Sequence, residues 1–134
     1  MRLSTKSEYA CLAIIDLAEN YHKNPRLTIA EIARHKDIPK KYLEQILLIL
    51  KRGGYVTSYK GAEGGYTLAK KPEDISIAEI IRLMDGALAP VESVSKYFFK
   101  HTPVERSPEL LSLLKEIRDY ISDKLERTTF ADLI

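Results

Sequence analysis

The spacing of apolar residues near the start of the chain predicts a first amphipathic helix. The stripe recurs at intervals of three or four, which is the period of one buried helical face. Its members are Ala10, Ile14, Leu17, Ala18 and Tyr21. Ser4 or Thr5 precedes the stripe and can cap the first turn, because each has a side-chain oxygen that accepts from a free backbone N–H. Asn24 and Pro25 then end the segment.

The next stretch, residues 28–52, predicts two helices joined by a tight turn. Thr28 and Glu31 have the T-x-x-E spacing of a capping box, in which two side chains satisfy free backbone groups at a helix start. Pro39 suits the first turn of the second helix, because its missing N–H would be unpaired there. The inward stripe of that helix consists of Leu43, Ile46, Leu47 and Leu50.

A β-hairpin is predicted after this helix-turn-helix. Gly53 and Gly54 end the helix, because glycine tolerates the left-handed conformation found at helix C-termini. Residues 55–59 are rich in aromatic and β-branched side chains and predict a strand, residues 60–65 predict a turn, and residues 66–69 predict the returning strand. A helix-turn-helix followed by a hairpin is the winged-helix arrangement, whose second helix typically enters the major groove of DNA.

One further helix follows the hairpin. Ser76 and Glu79 form a second capping box, and the helix ends at Asp85 and Gly86. Its apolar face, which we expect to pack under the hairpin, contains Ile77, Ile80, Ile81 and Met84.

A long connection without a sustained apolar period comes next. It contains Pro90 and Pro103, and connections of this length are uncommon and often functional. Its apolar cluster, residues 97–99, could dock on the body of the protein or cover a small pocket.

The last periodic stretch predicts a long helix, with Ser107 as its cap and Pro108 at its first position. Its apolar seam has coiled-coil-like spacing and consists of Leu110, Leu114, Ile117, Ile121 and Leu125. A seam at the end of a small domain favours contact between two molecules, although the helix could instead fold back on its own domain.

These elements predict a mainly α-helical fold with a small β-hairpin. A chain of 134 residues suffices for about one domain with its own core. We expect a winged helix-turn-helix domain at 1–86, a connecting loop at 87–107, and a dimerisation helix with its tail at 108–134.

The net charge of +2 conceals an uneven distribution along the chain. Residues 23–71 contain eleven Lys and Arg against four Asp and Glu, whereas residues 72–134 contain eight against twelve. An unevenly charged, solvated surface would be the ordinary explanation. Here the basic excess coincides with the helix-turn-helix and hairpin, as expected of a surface that meets phosphates.

Other features of the sequence exclude several classes of protein. No apolar run approaches a membrane-spanning length, and no signal-peptide pattern is present, so we expect a cytoplasmic protein. The single cysteine, Cys11, cannot form an intramolecular disulfide and fits a reducing compartment. An enzyme is not expected, because no phosphate-binding loop, nucleophile motif or pair of metal ligands is present.

Three segments resemble the Rrf-two family of winged helix-turn-helix regulators. They are MRLSTKSEYA at the start, IPKKYLEQILLILKRGGYV over the second helix of the motif, and KGAEGGYTLAKKPEDISIAEIIRLMDG after it. The closing TTFADLI extends the resemblance, and the YLEQ and G-x-x-GGY elements are specific to the family at this separation. The resemblance implies a bacterial homodimer whose long C-terminal helix crosses to the partner subunit. It also implies binding to a pseudo-palindromic operator in double-stranded DNA, usually to repress.

The resemblance further implies which residues face DNA. The matching positions on the recognition helix and at the wing tip are Lys40, Lys41, Tyr42, Glu44, Gln45 and Lys60. Gln45 can read adenine through two hydrogen bonds, and Glu44 can accept one from the cytosine amino group. The wing tip has lysine where the family often has arginine. Because lysine is a point charge and arginine a planar fork, we expect a weaker minor-groove preference.

Residues around these positions complete the predicted interface. Lys40 and Lys41 are better suited to hold phosphates, which fixes register without reading sequence. For Arg2 and Lys6, contact with phosphates and plain solvation are equally good interpretations. Tyr42 is better explained by packing than by base reading. The remaining members of the predicted DNA-binding set are Ser4, Thr28, Lys51, Arg52, Tyr59 and Gly61.

The chain departs from the iron–sulfur members of the family at one point. Those members carry three cysteines in the connection before the long helix, whereas residues 87–107 contain none. Because such clusters need thiolate ligands, a three-cysteine cluster is excluded and no cofactor is expected. Glu8, Cys11 and His101 could each bind metal, but they are scattered along the chain. A cluster-free regulator is the better hypothesis, with a protein partner, a small metabolite or oxidation of Cys11 as its signal.

A winged-helix protein-interaction module that has lost DNA binding is the alternative, since fold does not fix function. Such a module would have little reason to keep Lys51, Arg52 and Lys60 around Glu44 and Gln45. The basic excess therefore favours a regulator.

Overall fold

Three helices form the N-terminal part of the core in the computed structural model, which describes residues 2–134. They are α1 (Thr5–Glu19), α2 (Ile29–Lys36) and α3 (Lys40–Arg52). Ser4 caps α1, and its side chain accepts a hydrogen bond from the backbone N–H of Ser7. The capping box of Thr28 and Glu31 at the start of α2 is confirmed in both directions.

The turn between α2 and α3 depends on one residue in the left-handed conformation. Asp37 has φ and ψ of 52°, and its backbone N–H donates to the carbonyl of Ala33. Aspartate tolerates this region better than most residues, so α2 can end there. Pro39 occupies the cap position of α3, one residue earlier than the first turn that the sequence suggested. The predicted inward stripe of α3 is confirmed as buried.

The wing is a hairpin of β1 (Val56–Tyr59) and β2 (Gly65–Leu68), each within one residue of the predicted strands. Its antiparallel register pairs Val56 with Leu68, Thr57 with Thr67, Ser58 with Tyr66, and Tyr59 with Gly65. Leu27, just before α2, also pairs with Tyr66 through backbone hydrogen bonds of 3.0 and 2.7 Å. This additional pairing ties the wing to the helix-turn-helix.

The next helix, α4 (Ile77–Asp85), packs mainly across α1, and not under the hairpin as the sequence suggested. Its capping box of Ser76 and Glu79 is confirmed. One hydrogen bond joins α4 to the start of the wing. The hydroxyl of Tyr55, just before β1, donates to the carboxylate of Glu79 at 3.3 Å.

The connection after α4 has more local structure than its sequence indicated. Two short 3-10 turns, Glu92–Val94 and Pro103–Arg106, lie within it. The long helix α5 (Pro108–Arg127) holds the first of them, since the guanidinium of Arg118 donates to the carbonyl of Val94 at 3.0 Å.

The residues after α5 return to the N-terminal part of the core. The backbone N–H of Ile77 donates to the carbonyl of Thr128, and that of Phe130 donates to the carbonyl of Ile75, both at 3.0 Å. The side chain of Phe130 is fully buried in the main hydrophobic cluster. The core around the helix-turn-helix is therefore completed by a residue from the segment predicted to mediate dimerisation.

Candidate nucleic-acid interface

The outward face of α3 carries the predicted recognition residues. Those exposed to solvent are Lys40, Lys41, Tyr42, Glu44 and Gln45. Residues four apart on a helix lie side by side, so Lys40 lies beside Glu44 and Lys41 lies beside Gln45. Leu43, which falls between these positions in the sequence, is fully buried. The packing of α3 therefore presents four polar side chains as one surface.

Tyr42 projects from the first turn of α3 beside a shallow hollow. This hollow, of about 310 Å³, is lined by Lys41, Tyr42 and Gln45. The ring of Tyr42 lies 6.2 Å from that of Tyr9 on α1, at 54°. Because Tyr42 is nevertheless 56% exposed, packing accounts for only part of its surface.

The wing tip presents Lys60 and Gly61 on the turn between β1 and β2. Lys60 is exposed, and Gly61 has a φ of +92°, which favours glycine. At the end of the turn, a Cβ on Gly65 would lie 2.6 Å from the carbonyl oxygen of Leu27. Glycine at this position therefore permits the close approach of the wing to the segment before α2.

Arg26, which the sequence analysis did not select, lies against this wing. Its guanidinium carbon is 4.0 Å from the ring centroid of Tyr59, and its Nη1 donates to the carbonyl of Glu63 at 2.7 Å. No local pattern marks Arg26, because both of its partners are distant in the sequence. Tyr59 keeps 40% of its surface exposed beside this contact.

The start of α1 is joined to the end of α4 through Ser4 and Asp85. The backbone N–H of Ser4 donates to Asp85 Oδ2 at 3.0 Å, and its hydroxyl donates to Oδ1. Partial burial opposes ionisation of Asp85, but these hydrogen bonds hold the pKa of its carboxyl below the usual value. Ser4 thus has a structural partner, whereas Arg2 and Lys6 are exposed beside it.

Three other predicted contacts also have structural roles. The Oγ1 of Thr28 accepts from the backbone N–H of Glu31 at 3.1 Å, so this hydroxyl oxygen caps α2. Lys51 and Arg52 are exposed in the last turn of α3, where cations complement the helix dipole.

The weak metal candidates are separated in the fold. Glu8 and Cys11 lie on α1, whereas His101 lies in the connection, with its Nδ1 3.1 Å from the carboxylate of Glu105. Within residues 2–134, no three His, Cys, Asp or Glu side chains form a group that could hold a metal ion.

Cys11 packs partly buried against the main core. Burial, and secondarily the charge of Asp85, raises the pKa of its thiol to about 11. The thiol is therefore protonated at neutral pH, and the thiolate that reacts with oxidants is scarce. With one cysteine, the chain cannot supply the three thiolate ligands of a three-cysteine cluster.

A recognition helix with an exposed polar face, held beside a hairpin wing, is the winged helix-turn-helix architecture. The family and the relatives that the chain matches are transcription regulators and not enzymes. None of the helices within residues 2–134 combines the length and apolar character that a membrane crossing requires. The chain belongs to the Rrf2 family, whose profile, described as an iron-dependent transcriptional regulator, matches residues 3–134.

Individual relatives agree with this assignment and confirm the predicted fold class. The HTH-type transcriptional regulator CymR of Bacillus subtilis is 33% identical over 133 residues, which cover 99% of this chain and 89% of CymR. The structure of CymR, the global cysteine regulator of B. subtilis, superposes with a TM-score of 0.79 at 32% identity. The match covers 99% of this chain and 95% of that one. The structure of T. potens IscR superposes with a TM-score of 0.76 at 29% identity. The match covers 99% of this chain and 85% of that IscR chain.

One relative aligns over a shorter stretch. The rrf2-like HTH-type regulator of Rhodobacter capsulatus is 42% identical over 96 residues, which cover 70% of this chain. The same stretch covers 64% of the relative, which is less than two thirds of its length.

Proposed function

We propose that the protein is a homodimeric repressor that binds a pseudo-palindromic operator in double-stranded DNA without a three-cysteine iron–sulfur cluster. The observation that supports this most is the exposed polar face of α3 next to the wing. Both elements lie within the basic segment 23–71, where Lys and Arg exceed Asp and Glu by eleven to four. A surface with base-reading side chains and adjoining cations suits DNA better than it suits a protein partner.

In this proposal, the centre of the exposed face of α3 reads bases. Gln45 pairs with adenine through two hydrogen bonds, and Glu44 accepts from the amino group of cytosine. Leu48, one turn beyond Glu44 and 46% exposed, is placed to contact a thymine methyl group. The three residues together provide a polar and an apolar element of sequence readout.

The cations around this centre contact the DNA backbone and the minor groove. Lys40 and Lys41 hold phosphates at the start of α3, and Arg2 and Lys6 extend that contact from α1. Lys60 reaches the minor groove from the wing tip. These contacts set the register and give the binding its dependence on salt.

Dimerisation through α5 is supported by its exposed apolar face. Ser122 is the only fully buried residue among those the structure describes along this helix. The large apolar residues left exposed are Leu110, Leu113, Ile117 and Tyr120, with exposed fractions of 42%, 51%, 39% and 74%. They step by three, four and three, so they share one face. Of the predicted seam, Leu125 packs against the chain's own core, and Leu114 and Ile121 are half-buried. Leu110 and Ile117 are the seam residues left exposed.

The signal is proposed to act at the connection, residues 87–107, through a protein or a small molecule. Tyr97 is 68% exposed, and its ring lies 4.8 Å from the guanidinium carbon of Arg82 on α4. The same guanidinium donates to Ser122 and Glu126 on α5, at 3.2 and 2.5 Å. A ligand that displaces Tyr97 would therefore disturb the contact between α4 and α5. Oxidation of Cys11 is less well supported, because the pKa of its thiol is raised.

Fluorescence anisotropy with DNA from upstream of the protein's own gene tests the proposal. A scrambled duplex is the control, and both are titrated at two salt concentrations. We expect selective binding to the upstream duplex, with affinity that falls as salt rises. Absence of binding to either duplex at low salt would instead favour the protein-interaction module. Transcription in vitro from the bound promoter then distinguishes a repressor from an activator.

A further inference from the structure

We propose that Arg26 is a positioning residue that holds the wing in the conformation that meets DNA. The inference rests on the proposed function, in which the wing contacts the operator. It concerns a residue outside the helix-turn-helix and outside the hairpin itself.

Two contacts of different kinds fix Arg26 to the wing. Its guanidinium carbon lies 4.0 Å from the ring centroid of Tyr59, the last residue of β1. Its Nη1 donates at 2.7 Å to the backbone carbonyl of Glu63 in the turn. One planar group therefore joins the end of a strand to the tip of the hairpin, and it restrains the turn that presents Lys60.

The wing needs such a restraint because it is short. Each strand has four residues, and an isolated two-stranded hairpin is marginally stable in water. The backbone pairing of Leu27 with Tyr66 holds the base of the wing. Within residues 2–134, no atom beyond Gly61 and its chain neighbours lies within 4 Å of a Cβ built on Gly61, so the tip itself is open to solvent. The side chain of Arg26 extends from the base of the wing and contacts the turn at Glu63.

Lysine cannot replace both contacts of this arginine. A guanidinium is flat and can stack on an aromatic ring while its edge donates hydrogen bonds, whereas an ammonium is a compact point charge. No carboxylate lies within ion-pair distance of Arg26 in the part of the chain that the structure describes. Its guanidinium is therefore not held in an ion pair.

The test uses the full chain and the operator from the anisotropy experiment. Arg26→Lys keeps the charge and removes the stacked plane, and we expect it to weaken operator binding about five- to tenfold. The salt dependence should stay unchanged, because no cation is lost. Arg127→Lys makes the same charge-preserving exchange at an exposed arginine at the end of α5. It is the matched control and should bind as the wild type does. Thermal unfolding of each variant confirms that it is folded.

A double-substitution cycle tests whether Arg26 and Tyr59 act as one unit. Tyr59→Leu should weaken binding as Arg26→Lys does, and the two together should cost little more than either alone. Tyr59→Phe keeps the ring on which the guanidinium stacks, so Arg26→Lys should still weaken binding in the Tyr59→Phe background. Wild-type affinity in Arg26→Lys, or losses that multiply in the double variant, would overturn the inference.

Lys60→Ala separates failure of this inference from failure of the proposed function. We expect it to weaken binding and to reduce the salt slope by about one. If Lys60→Ala has this effect and Arg26→Lys has none, only the positioning role fails. If the wild type shows no selective binding to DNA, both proposals fail.

Discussion

The carboxylate of Asp85, at the last residue of α4, accepts hydrogen bonds from the backbone N–H and the hydroxyl of Ser4, at the start of α1. A negative charge is unfavourable at the C-terminus of its own helix and favourable at the N-terminus of another. The N-terminus of α1, which favours a negative charge, therefore explains why an aspartate stands at the end of α4. The contact fixes Ser4, the residue that precedes α1, relative to α4.

This contact predicts a dependence of stability on pH. Because the folded-state pKa of Asp85 is lowered, its stabilisation is complete above the unfolded pKa of about 3.9 and is lost as pH falls through the folded value. We expect Asp85→Asn to lower the free energy of unfolding at pH 7 by about 0.5–1 kcal/mol. Urea unfolding at pH 7 and at pH 3 measures the difference, which should shrink at the lower pH.

Asp74→Asn, an exposed aspartate before α4, is the control for Asp85→Asn and should leave stability unchanged at both pH values. A destabilisation by Asp85→Asn of equal size at pH 7 and well below the folded pKa would contradict the assignment.

The burial of Phe130 predicts a large loss of stability on truncation. Phe130→Ala should lower the free energy of unfolding by about 3–5 kcal/mol, because it removes a buried ring and leaves a cavity. Leu133→Ala, three residues later and 50% exposed, should change it little. Urea unfolding followed by circular dichroism compares the two variants. Similar midpoints for both would mean that Phe130 does not complete the core.

The exposed face of α3 predicts losses of sequence preference. Glu44→Ala and Gln45→Ala should each reduce discrimination between operator and mutated operator by about 1–3 kcal/mol for each lost base contact. Competition anisotropy with single-base operator variants identifies the position that each residue reads. Glu73→Ala, at an exposed glutamate outside α3, should preserve the preference. Full specificity in both α3 variants would remove them from the reading surface.

The exposed face of α5 predicts that a single charge will separate the subunits. Ile117→Glu should shift the protein from dimer to monomer, because it puts an unpaired carboxylate into an apolar interface. Sedimentation velocity measures the mass, and weaker operator binding should accompany the shift. Lys115→Glu changes charge at another exposed position of the same helix and is the control. A monomeric wild type, or a dimer that survives Ile117→Glu, would exclude this face.

Features that depend on neighbouring residues could be predicted from the sequence. The capping box of Thr28 and Glu31 involves residues three apart, and the buried stripe of α3 repeats every turn. Both follow from helix geometry alone, so the pattern determines them. The exposed polar face of α3 follows from the same geometry.

Features that join distant parts of the chain could not be predicted. The pairing of Leu27 with Tyr66 and the stacking of Arg26 on Tyr59 depend on how the wing is oriented. For α5, the spacing of apolar residues predicted an apolar face. It could not predict which residues of that face pack against the chain's own core. Leu125 proved to pack inward, while Tyr120, outside the predicted seam, is 74% exposed.

The return of Phe130 to the core bears on the order in which the protein matures during translation. A ribosome makes the helix-turn-helix, the wing and the whole of α5 before it reaches residue 130. Until that residue leaves the exit tunnel, the core around the helix-turn-helix lacks a buried aromatic ring. That core is therefore completed only after the helix proposed to join the subunits has been synthesised.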